Sequence, residues 1–185
     1  PTPYRINIPY QADRRKYGKS DPQTLVSDTI QIAKEQNFDL GKASIEEIRK
    51  FMEQNMLGID CSGIAYHVLD YLLKKSGKRS MLDNGFPKAS ATNVAILTSD
   101  QFSTPIEMGN TQPGDLIKLN SKKASHILII LETGNNIIYA HSSGITNPTG
   151  VHTGQIENGK FPDDLKVFSY NEKAGDGARR LKIVA

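Results

Sequence analysis

The chain holds a single cysteine, Cys61, in 185 residues. That excludes an internal disulfide framework and leaves a buried inert thiol, a reactive thiol or an intermolecular link. Long apolar runs are missing too, so no segment reads as a membrane span. Charge of one sign is in short supply: the formal net charge is only +3, a mild attraction to anionic surfaces at most. There is no internal repeat, no low-complexity tract, no convincing linker and no visible signal sequence. The basic cluster Arg14-Arg15-Lys16-Tyr17 stands without aromatic interleaving or a binding motif, so it reads as solvated surface and not as a nucleic-acid site.

What is present is an ordinary globular composition, with 37% hydrophobic and 23% charged residues. The length suits one sizeable core. Residues 1–20 read as an irregular basic arm with a short strand at Tyr4–Ile8. Residues 21–185 read as a single domain, with a helical flank over 21–56 and a core over 57–185. Asp21-Pro22 starts a helix, because Asp caps and Pro tolerates the first helical position. Ser44-Ile45-Glu46-Glu47 is a capping box followed by the apolar stripe Ile45, Ile48, Phe51 and Met52. A third helix begins at Asp60 or Cys61, carries Ile64, Ala65, Val68, Leu69, Leu72 and Leu73, and stops at Gly77.

After residue 113 the period changes. Leu116–Leu119, Ile127–Leu131 and Ile137–Ala140 are short β-prone runs, with a hairpin turn at Gly134-Asn135-Asn136. Val94–Leu97 reads as a short strand or helix. Residues 144–164 read as loop with a short pairing segment near Val151, and Val167–Tyr170 and Leu181–Val184 as the last two strands. Helices first and antiparallel strands later make an α+β pattern.

Cys61 stands at the start of its helix. A helix N-terminus supplies roughly half a positive charge, and a nearby imidazole adds to it. Together they lower a thiol pKa from about 8.5 by one to several units. The helix-start amides of Cys61 and Ser62 can stabilise an oxyanion, and small Ser62 and Gly63 leave room for a substrate carbonyl. His126 opens one strand and His141 closes its hairpin partner, so both lie near the same open end. That is a nucleophile, a base and an orienting group; Glu132 or an Asn is the alternative orienter. His67 is turned away from the thiol, His152 lines the cleft without a catalytic role, and Asp115 is a turn residue. Four histidines and one cysteine without ligand spacing weigh against a zinc site.

Asp60-Cys61-Ser62-Gly63, Pro113-Gly114-Asp115-Leu116, Ser125-His126-Ile127 and Tyr139-Ala140-His141-Ser142, in that order, resemble the NlpC/P60 family of papain-like cysteine peptidases. The resemblance covers about residues 55–145. It implies a papain-like α+β fold with the nucleophile helix packed on an antiparallel sheet. It also implies cleavage of peptidoglycan stem peptides, typically between D-γ-glutamate and a diamino acid, without metal or cofactor. Cys61 matches the nucleophile, His126 the general base and His141 the residue that orients it; the backbone at Cys61, Ser62 and Ser125 matches the substrate and oxyanion positions. Family members carry a Tyr shortly before the nucleophile, close to the thiol, whereas Phe51–Gly58 has none. The strand after Asp115 is not aromatic, and the stretch before Pro113 is long. A divergent member is expected, extracytoplasmic if it acts on peptidoglycan, or delivered as an effector or phage enzyme. Alternatives are an amidase or transferase for another amide, and an inactive wall-binding module.

Overall fold

The computed structural model describes residues 2–5, 18–120, 125–168, 170–172 and 175–183. Helix α1 (Pro22–Glu35) starts as its sequence dictates, with the Asp21 side chain accepting the Thr24 amide at 2.9 Å. Helix α2 (Ile45–Gln54) carries the full capping box: Ser44 Oγ accepts the Glu47 amide and Glu47 returns to the Ser44 amide at 2.7 Å. Leu25, Ile32, Ala33, Phe51 and Leu57 form a core of their own. Phe38 stacks on Phe51 with ring centroids 4.4 Å apart.

Helix α3 (Cys61–Lys75) is capped by Asp60, whose Oδ1 accepts the Gly63 amide at 2.6 Å. Val94–Leu97 is helical (α4), because the Asn93 side chain caps it by accepting the Ile96 amide at 2.9 Å. Six strands follow: β1 (Ser103–Ile106), β2 (Leu116–Asn120), β3 (Ser125–Glu132), β4 (Asn136–Ser143), β5 (Gly150–Glu157) and β6 (Gly177–Leu181). They make one antiparallel sheet in the order β1-β6-β2-β3-β4-β5. The chain is thus α+β.

The sheet is buried on both faces. Ile127 and Ile129 of β3 face α3, with Leu116, Ala140 and Leu181 beside them. Leu128 and Ile130 face the other way, into a second core with Leu119, Tyr139, Leu165 and Phe168. Burial on both sides is why β3 reads as an unbroken apolar run without alternation.

Three expectations are corrected. The stretch near Val151 is a complete strand, β5, paired with β4 along its whole length. It was hidden because an edge strand tolerates polar residues, and because Gly154 is there to make room for the Tyr139 ring, which a Cβ would strike. Asp163–Phe168 is a 3-10 turn where a strand over Val167–Tyr170 is expected, and it seats Phe168 against the sheet. The last strand is Gly177–Leu181, ahead of the expected 181–184, because the Asp176 carboxylate holds the Asn171 amide and the Asn120 side chain and so fixes where β6 begins.

Residues 2–5 and 18–20 are also not peripheral. Tyr4 makes a single bridge to Ile59. The Arg5 amide donates to the Ile59 carbonyl at 3.2 Å and the Ile59 amide to the Pro3 carbonyl at 3.0 Å. The Asp60 amide reaches the Gly18 carbonyl at 2.8 Å, and the Val151 amide reaches the Thr2 carbonyl at 2.8 Å. These segments strap the turn that precedes Cys61. The rest of the strand expected over Tyr4–Ile8 and the cluster Arg14–Tyr17 lie outside the described residues.

Candidate active site

The turn Ile59-Asp60 is fixed from three sides before the helix begins. The strap pairs with it, Asp60 caps α3, and Ser142 Oγ from the end of β4 donates to the Ile59 carbonyl at 2.6 Å. Lys19 is buried beneath it. Its ammonium lies 2.7 Å from Asp60 Oδ1 and also bonds Ser62 Oγ. The lysine and aspartate side chains are 3% and 11% exposed. The sequence offers no local sign of this pair, because the partners stand on opposite sides of the first two helices.

Removing one partner of a buried ion pair strands the other charge, at a cost of roughly 3–5 kcal/mol. Lys19→Met is therefore expected to lower the unfolding free energy by about 3 kcal/mol in chemical denaturation. The double variant Lys19→Met/Asp60→Asn should regain most of it, since asparagine still caps α3 without leaving a charge.

Cys61 is 7% exposed, with its thiol against the amides of Ser62 and Ile127. Among the described residues no backbone carbonyl accepts from the Cys61 or Ser62 amides, the two helix-start donors nearest the thiol. Burial, and then the Asp60 carboxylate, push the thiol up to about 11, against the opposing pull of Lys19 and the two amides. This reverses the expected lowering: the helix end is real, but desolvation and the capping carboxylate outweigh it.

His126 and His141 are brought together. His126 Nε2 lies 2.7 Å from His141 Nδ1, and the two residues are 4% and 0% exposed. Phe168 stacks on the His126 ring at 4.2 Å. Burial, and then the charge of His152, hold His126 down to about 3; burial, then His126 and His152, push His141 down to about 2. Both are neutral imidazoles at neutral pH. The thiol meets the backbone of this strand end, at the amide directly after His126. No hydrogen bond joins Cys61 to His126 among the described residues, and His126 Nδ1 takes none from them. Catalytic contacts of this kind often tighten only when substrate is bound.

No family model, curated protein or solved structure matches this chain.

The remaining candidates sort themselves by position. Ser125 is exposed and its hydroxyl donates to Asn120 Oδ1 at 2.6 Å; the strand amide at the thiol is that of Ile127. The space beside Gly63 is filled by the Gly18 carbonyl, and Ser62 bonds Lys19, so these small residues admit the strap and not a substrate carbonyl. Glu132 is exposed at the far end of β3, away from His126, whereas His141 is hydrogen-bonded to that ring. His67 packs, with Nε2 2.8 Å from the Lys19 carbonyl. Asp115 is a turn residue as expected, accepting the Gln112 amide at 2.7 Å, and is further gripped by Arg180 at 2.9 and 2.8 Å. Among the described residues no group of His, Cys, Asp or Glu could hold a metal ion, and no helix is long and apolar enough to cross a membrane.

Tyr4 was missed near the centre, and His152, expected only to line the cleft, is tied into it. Tyr4 is held well above its ordinary pKa by burial and by the neighbouring Cys61 and Asp60 charges, and its ring fills the space over Gly144. His152 closes a chain of imidazoles, with its Nε2 2.7 Å from His141 Nε2. The signal available for it was the β3–β4–β5 register, which sets His141 opposite His152 once β5 is recognised as a strand.

Proposed function

We propose that this chain is a cysteine amidohydrolase of the NlpC/P60 type, with a papain-like arrangement of a nucleophile helix on an antiparallel sheet, acting on peptidoglycan stem peptides at the D-γ-glutamyl–diamino acid bond. The observation that carries the reading is the hydrogen-bonded pair His126–His141 at a strand end whose next amide abuts the Cys61 thiol. The proton of the neutral thiol passes to His126 Nδ1 as sulfur attacks the amide carbonyl. The helix-start amides and Ile127 N–H face the oxyanion that forms. His126 then gives that proton to the leaving amine, and the acyl-enzyme remains. Water loses a proton to His126 as it attacks the thioester, and the carboxylic acid leaves as the thiol is restored. His141 holds the base in place. A substrate of this class places the protein outside the cytoplasm or in delivery to a target cell.

The strap over the nucleophile turn favours one variation at the same site, a different amide as substrate. Incubation with a synthetic stem tetrapeptide containing the γ-glutamyl–diaminopimelate bond distinguishes the two. The expected product, by mass spectrometry, is the dipeptide with a new free amine. An intact tetrapeptide beside cleavage of a γ-glutamyl amide of another class would move the assignment to that amide. No cleavage of either, with Cys61 unreactive to electrophiles, would refute the hydrolase.

A further inference from the structure

The imidazole chain does not end at His141. His141 Nε2 lies 2.7 Å from His152 Nε2, and His152 Nδ1 lies 3.0 Å from the Gly150 carbonyl oxygen. A carbonyl oxygen only accepts, so His152 Nδ1 carries the hydrogen. In a neutral His152 the other nitrogen is then bare and accepts from His141 Nε2–H. His141 Nδ1 is bare in turn and accepts from His126 Nε2–H. Each assignment dictates the next, and the last one leaves His126 Nδ1 without a hydrogen.

We propose that the Gly150 carbonyl, acting through His152 and His141, fixes the tautomer of His126 so that Nε2 carries its hydrogen and Nδ1 is left bare. His152 is a positioning residue. It touches neither thiol nor substrate and acts through His141.

The anchor is rigid. Gly150 has φ +85, a conformation suited to glycine, and a Cβ there would run into the Thr2 carbonyl. The next amide, Val151 N–H, is held by Thr2 at 2.8 Å. His141 and His152 are directly paired across β4 and β5, so sheet register and not side-chain chance sets them together. Burial of His126 and His141, and Phe168 stacked on His126, disfavour a charge on those two rings, and the assignment is that of the chain with all three imidazoles neutral. Reversing every hydrogen would point a bare His152 Nδ1 at the Gly150 oxygen, two lone pairs facing each other.

The test reads tautomers directly. In protein labelled with ¹⁵N-histidine, four imidazoles are present, assigned one by one with His→Gln variants. In the substrate-free wild type, His126 should show a bare Nδ1 and a protonated Nε2. His152→Gln offers its amide oxygen to His141 and should preserve that pattern. His152→Lys presents only donors to His141 Nε2 and should reverse the chain, moving the His126 hydrogen to Nδ1. His152→Phe, a second probe should the lysine variant not fold, removes the acceptor and should leave His126 exchanging between its two forms. A wild-type His126 protonated at Nδ1, or a pattern unmoved by both Lys and Phe, would overturn the proposal. The activity arm rests on the hydrolase reading: His152→Lys should lower kcat on the order of 100-fold with KM unchanged, and His152→Gln should restore it. The spectra need no substrate, so failure of the hydrolase reading and failure of the relay give different results.

Discussion

On the proposed hydrolase reading, Cys61→Ala is expected to lower stem-peptide hydrolysis by at least about 10⁴-fold, the scale on which nucleophile removal acts in covalent hydrolases. The protein should stay folded, because the change deletes one sulfur from a site already confined by Asp60, Lys19 and Ser142. His126→Ala should fall by roughly 10²- to 10⁴-fold, the usual worth of a positioned base. The pH dependence separates this mechanism from one that stores a thiolate. With His126 at about 3 and Cys61 at about 11, both groups are neutral across the physiological range. The profile of kcat/KM should therefore be flat through neutrality, falling only when the base is protonated in acid or the thiol ionises in strong alkali. Iodoacetamide labelling of the resting thiol should be slow at pH 7 and rise steadily toward pH 11. Rapid labelling at pH 7 with a limb near neutrality would show an ion pair in place of the neutral couple, and full activity in Cys61→Ala would exclude the thiol altogether.

The difference between the expected and observed thiol shows what a sequence carries. Features that depend on neighbours in the chain were legible: the Asp21-Pro22 start, the Ser44–Glu47 box, the Asp60 cap and the hairpin that brings His126 to His141. The hairpin was readable because a turn at 134–136 sets cross-strand register, even with a bulge near Ile130. Balances of opposing terms were not. The helix end and the imidazole were visible and argued for a lowered thiol, but the burial of Cys61 depends on strands far along the chain. Tyr4 and Lys19 reach the site from a segment whose composition reads as solvated surface. His152 was hidden for a related reason. Its strand is an edge with Gly, Thr and Gln, so its pairing comes from β4 and not from its own pattern.

The same buried relay should make the protein fragile in acid. Unfolded, His126 and His141 titrate near their ordinary value of 6.5; folded, burial first and neighbouring histidines second hold them at about 3 and about 2. Between those limits the unfolded chain binds two protons that the folded chain refuses. Stability therefore rises with pH in this window and is lost as pH falls. Each refused proton is worth about 1.4 kcal/mol per pH unit once the unfolded imidazole is fully charged. Together they give a slope approaching roughly 2.7 kcal/mol per pH unit. Only the upper part of the window isolates the histidines, since carboxylates such as Glu47, lowered from 4.5 by its bonds to Ser44, begin to titrate below it. Urea denaturation from pH 6 to pH 4.5 should show the steep loss. His141→Gln removes one refused proton and should halve the slope; His126→Gln/His141→Gln should nearly abolish it, even if both variants are less stable at pH 7. A slope unchanged by the double variant would place the acid-sensitive groups elsewhere. It would also mean that His126 and His141 are solvated enough to accept protons at rest, which would return the proposed base to an ordinary pKa and give the pH–rate profile a limb near neutrality.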